Sequence, residues 1–203
     1  MADDARTDDT PGDTTRASDR RSLRLYLLVS IVGIMLCSVT AARLTPEPEG
    51  VAMSLLIVSA AWAYAFGAAV LCFWAHYKAA QVTYRYYLVD EVGAVPNRVL
   101  YAMLCMSVAH LGQMTYWGAI MWVAANWMGL GDLSGDVSGG ATATFVDYLH
   151  FAFASYTSLG LGDVMPEDYI KLITGVTTLT GLLCIGWTAS LFVGKMGDLM
   201  EER

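Results

Sequence analysis

The sequence predicts an all-α integral membrane protein with four transmembrane helices and a short re-entrant helix and loop between the third and fourth. Three observations carry that prediction. The 203 residues are 56% hydrophobic and only 15% charged, which is more apolar than soluble domains usually are. Four stretches hold the ~20 mostly apolar residues that a helix needs to cross the hydrocarbon core. Between the last two lies a further apolar and aromatic run, "ATFVDYLHFAFASYT", too short to cross.

In chain order, residues 1–22 are polar and acidic and offer nothing to bury, so they read as a disordered cytoplasmic tail rather than a signal peptide. Residues 23–97 form a two-span hairpin, Leu25 to Leu44 and Val51 to Tyr77 joined by "TPEPEG", plus a cytoplasmic connection. Residues 98–196 form the second domain, with spans from Val99 to Trp127 and Tyr169 to Lys195, and residues 197–203 a short cytoplasmic tail. Lys and Arg cluster before the first span, between the second and third, and after the fourth. Arg43 and Lys171 alone occupy the other connections. The positive-inside rule therefore places both termini in the cytoplasm and residues 128–168 outside, in a plasma or cytoplasmic membrane.

Several function classes are excluded. The 12 basic residues make no stripe interleaved with aromatics, so nucleic acid is not expected as a partner. Cys37, Cys72, Cys105 and Cys184 sit singly in apolar runs, without disulfide or metal-ligand spacing. No nucleophile, base and orienting group lie at informative spacing, so no enzyme activity and no cofactor are expected. The first two spans lack the ladder of basic residues that a voltage sensor needs.

The tetrapeptide GLGD occurs twice, as Gly129 to Asp132 and as Gly160 to Asp163. By itself it is ordinary turn chemistry. The first copy follows a full span and reads as an external turn, where Gly131→Ala is expected to be nearly silent. The second follows the short apolar helix. A glycine-bearing return at that depth is viable only where protein buries it or it lines a water-filled path.

Outer span, external loop, short helix, "TSLGLGD" and a glycine-containing inner span together resemble the pore domain of potassium channels, over about residues 98–196. The resemblance implies a tetrameric, potassium-permeable cation channel, with three further copies of the chain as partners in a lipid bilayer. Its selectivity filter would be Thr157, Ser158, Leu159, Gly160, Leu161, Gly162 and Asp163. Backbone carbonyls there would coordinate permeating K+, the one ion expected. The usual family filter reads Thr-Val-Gly-Tyr-Gly-Asp, so Leu161 stands in place of an aromatic residue. Ala154 stands where many relatives carry an acid behind the filter. A weakly selective cation channel and a non-conducting membrane sensor or assembly subunit remain alternatives.

Thr178, Gly181, Ile185, Gly186 and Thr188 fall where the family's inner helix bends and lines its cavity; close helix packing is the competing reading. His110 and Gln113, polar residues inside a span, are expected to make an interhelical hydrogen bond. Asp132, Asp136, Asp147, Asp163, Glu167 and Asp168 are expected to make the outer mouth acidic.

Overall fold

The computed structural model describes residues 51–88, 95–160 and 162–201. The expected first span and acidic tail, part of the central connection, Leu161 and the last two residues lie outside them. Residues 60–203 form one compact unit, and residues 1–59 belong to another, of which the described part is the start of the first helix.

Helix α1, Val51–Thr83, is continued by a π-helical turn, Tyr84–Leu88. Helix α2 is Val95–Asn126, with Pro96 in its first turn, where the missing N–H costs nothing. Strand β1 is Leu133–Gly135, helix α3 is Phe145–Tyr156, strand β2 is Val164–Pro166 and helix α4 is Ile170–Glu201. At 1.5 Å per residue the three long helices each run about 48 Å, and the 12 residues of α3 only about 18 Å.

Packing is inverted relative to a water-soluble protein. The covered stripe of α1 is made of small or polar residues, Ala61, Ala65, Ala68, Cys72, His76 and Ala80, at helical spacing. Large apolar side chains face outward instead: Val70 is 64% exposed, Val108 67% and Val193 72%. In water such faces would be a severe liability, whereas against lipid tails they cost nothing, and small residues then let helix backbones approach. The chain is a mostly helical membrane protein.

Among the described residues, the first and last long helices are apolar enough to cross a membrane on composition alone, over Met53–Tyr86 and Ile170–Gly194. Helix α2 is as long but carries Arg98, Ser107, His110, Gln113 and Thr115, which dilute its hydropathy. The expectation of a purely α fold needs one addition. Strands β1 and β2 pair antiparallel, Leu133 with Pro166, Ser134 with Met165 and Gly135 with Val164. Three-residue strands in glycine-rich loops have no periodicity from which to be read.

Hydrogen bonds fix how the helices of residues 60–203 lie together. Tyr64 of α1 donates to the Ile120 carbonyl at 3.0 Å, and Tyr116 of α2 donates back to the Ala68 carbonyl at 3.1 Å. Partner numbers rise on one helix as they fall on the other, so α1 and α2 run antiparallel.

Candidate functional site

Helix α3 turns back along α2. Phe145 meets Trp122 edge to face, a β-carbon on Gly118 would lie 3.0 Å from the Leu149 Cα, and Tyr156 reaches Gln113 and His110. Again the numbers run in opposite senses, so α3 descends about 18 Å beside α2 and stops partway. The chain then climbs back, because Val164–Pro166 pairs with a strand lying just beyond the end of α2.

The return loop begins as the helix runs out of partners. Thr157 donates its hydroxyl to the Phe153 carbonyl at 2.7 Å, and the Ser158 and Leu159 N–H groups bond the carbonyls of Ser155 and Ala154. Ser158, Gly160 and Gly162 all have positive φ, at 59°, 57° and 80°. Positive φ at these alternate positions is a backbone conformation that glycine adopts freely and serine only under strain. Leu159 is 66% exposed, and a β-carbon on Gly160 or Gly162 would meet nothing within 4 Å. Asp163 is also exposed; its carbonyl accepts from Asp136 N–H at 2.9 Å. Behind the loop, Ala154, Ser155, His150 and Asp163 line a cavity of about 50 Å³.

The first GLGD copy lies beside the outer end of this loop. Leu130 and Asp132 carbonyls accept the N–H groups of Tyr169 and Glu167, extending the β1–β2 ladder on its far side. The Asp132 carboxylate accepts from the buried Tyr148 hydroxyl of α3. Gly131 has φ of 114°, and a β-carbon there would lie 2.6 Å from the Glu167 carbonyl oxygen. The copy is a turn, and that close approach adds a cost in stability to Gly131→Ala, separate from the expectation that the change leaves conduction nearly untouched.

Asp147 is likewise not a free charge at the mouth. Its carboxylate accepts from Thr144 N–H at 2.7 Å and Ser138 N–H at 3.0 Å, and from both residues' hydroxyls, closing a capping box on α3. Desolvation pushes its pKa up, but these bonds outweigh it and hold the carboxyl well below its ordinary range. A lowered folded pKa gives stability that is present above the unfolded value of about 4 and is lost as pH falls toward the folded one. Asp147→Ala is therefore expected to cost ~1–2 kcal/mol at neutral pH, with the gap to wild type closing below about pH 4; thermal midpoints across pH check this. Asp136, Asp163, Glu167 and Asp168 remain exposed.

At the inner end, His110 and Gln113 do bond across helices. His110 lies 3.1 Å from the Tyr156 hydroxyl and 3.0 Å from Thr188 Oγ1, and Gln113 lies 3.0 Å from His76 of α1. Reading the sequence missed His76 and Tyr156 as their partners; a histidine inside a long apolar run was the available signal. On α4, a β-carbon on Gly181 would lie 2.0 Å from the Tyr156 carbonyl oxygen, whereas one on Gly186 would meet nothing. Thr178 is half-buried, Ile185 is exposed, and the helix runs through both glycines without a break.

Long helices with exposed apolar faces, packed with a short descending helix and its glycine-bearing return loop, define a class, the helical membrane proteins. A family model described as "ion channel" matches residues 97–197, and through that segment the chain belongs to the ion-channel family. No curated protein and no solved structure gives a significant match.

Proposed function

We propose that the protein is a homotetrameric, potassium-permeable cation channel whose filter is Thr157, Ser158, Leu159, Gly160, Leu161, Gly162 and Asp163. The observation that carries this reading is positive φ at residues 158, 160 and 162, directly after a helix that stops partway along α2. One such loop offers one oxygen per level, so four copies around an axis complete each ring. Exposure of Leu159, Gly160 and Gly162 in the single chain agrees with a surface turned toward such an axis. The C-terminus of α3 directs the negative end of its dipole toward a cation beneath the loop.

In this reading α2 spans the membrane with α1 and α4, the segment before α1 supplies a fourth span, and both termini are cytoplasmic. Ile185 and Gly186, exposed on α4, face the inner cavity with Thr178; Gly181 and Thr188 hold α4 against its neighbours. The test is cation flux from liposomes containing only this chain. Expected are K+ efflux and, in mixed salts, a reversal potential displaced toward that of K+. Protein that assembles but carries no cation current refutes the channel, and equal sodium and potassium permeability refutes potassium selectivity.

A further inference from the structure

Five side chains from four helices close a ring beneath the return loop. They are His76 of α1, Gln113 and His110 of α2, Tyr156 at the end of α3 and Thr188 of α4. Its links are Gln113 Nε2 to His76 Nδ1 at 3.0 Å, His76 Nε2 to Thr188 Oγ1 at 3.4 Å and Thr188 Oγ1 to His110 Nε2 at 3.0 Å. His110 Nδ1 to Tyr156 Oη at 3.1 Å and the short Tyr156 to Gln113 Oε1 bond complete it.

The orientation of one amide determines every proton. Gln113 donates from Nε2, so His76 Nδ1 must accept, and neutral His76 then carries its proton on Nε2 and donates to Thr188. Tyr156 spends its single proton on Gln113 Oε1, so it accepts from His110, which therefore carries its proton on Nδ1. His110 Nε2 is left to accept from Thr188. Each member donates once and accepts once around the ring. His76 and Tyr156 are fully buried and Gln113 nearly so, which makes an unpaired member costly.

We propose that this ring positions the base of the filter and couples α1, which lies outside the family-matched segment, to ion selection. It rests on the channel reading. Tyr156 immediately precedes Thr157, so any shift of its hydroxyl moves the start of the loop. Because reversal of the ring needs the amide and all four other groups to change together, it holds one arrangement or opens; it does not yield by degrees. The five are positioning residues that touch no ion.

Tyr156→Phe and Thr188→Val open the ring at different links with almost no change of shape. Each is expected to raise the sodium-to-potassium permeability ratio about fivefold, equivalent to ~1 kcal/mol. The double variant is expected to do no more than either alone, since a ring opens once. Thr188→Ser keeps the hydroxyl and is expected to retain the wild-type ratio. Unchanged ratios in both single variants, or effects that simply add, overturn the proposal. Should the variants not assemble, ¹⁵N-histidine spectra of the unmodified protein in liposomes decide it: Nε2–H at His76 and Nδ1–H at His110 are required, and any other pair overturns the ring. Those tautomers in a protein that passes no ions would refute the channel reading and leave the ring standing, whereas flux with insensitive selectivity would do the reverse.

Discussion

Gly162→Ala is expected to reduce K+ flux at least ~100-fold in protein that still assembles. Gly162 has φ of 80°, where a β-carbon costs ~1–2 kcal/mol per residue. Space is not the obstacle, since nothing lies within 4 Å of that β-carbon in the single chain. The backbone is. If alanine restores negative φ, the neighbouring carbonyl swings away, and in the proposed fourfold ring that defect is repeated four times, so a cation loses a whole level of ligands. Single-channel recording or liposome flux at matched tetramer yield measures the effect, and near-normal conduction would show that carbonyl direction at this residue does not matter. Gly131→Ala, in the other GLGD copy, is expected to act differently: strain against Glu167 lowers the melting temperature and the yield, while those molecules that fold conduct normally.

Gly181→Ala should be the most disruptive change in α4. The added carbon would overlap the Tyr156 carbonyl oxygen at 2.0 Å, so α3 and α4 must separate or shift. Overpacking of this kind costs ~1–3 kcal/mol, and the groups displaced include the end of α3 and the ring at Tyr156. Loss of assembled protein, or assembled protein with degraded selectivity, is expected. Gly186→Ala provides the contrast, because its β-carbon meets nothing and helix propensity improves by ~1 kcal/mol. Thermal stability of the second variant should rise or hold. Its open probability separates a bend at Gly186 from a plain helical position: reduced opening with improved stability supports the bend, and unchanged opening removes it.

The parts of this fold that could be read from sequence are those written in length and periodicity. A 12-residue apolar helix beside spans of more than 30 residues announces itself, and so does the different setting of the two GLGD copies. What stayed hidden depends on contacts between residues far apart in the chain. His76 and Thr188 are 112 positions apart, and nothing local marks them as partners. By acidity alone Asp147 and Asp132 look like mouth charges, yet one caps α3 and the other receives Tyr148. The hydropathy of α2 is lowered by His110 and Gln113, two of the residues that tie its neighbours together. The glycines of α4 look alike in sequence, and only the approach of Tyr156 separates Gly181 from Gly186.

The return loop is a strap pinned at both ends, and the described residues between the pins are exposed. Its inner end is fastened by side chains at Tyr156, and its outer end by the backbone ladder from Leu130 to Asp136. Leu159, Gly160 and Gly162, between the pins, touch little of their own chain. If neighbouring copies supply what is missing, the conformation of that middle stretch is a property of the assembly, and its free energy enters the association constant. Dilution or harsh detergent would then unmake the ion path before it unfolds any helix, and tight ion binding at the centre would act as the clasp that holds the proposed tetramer together.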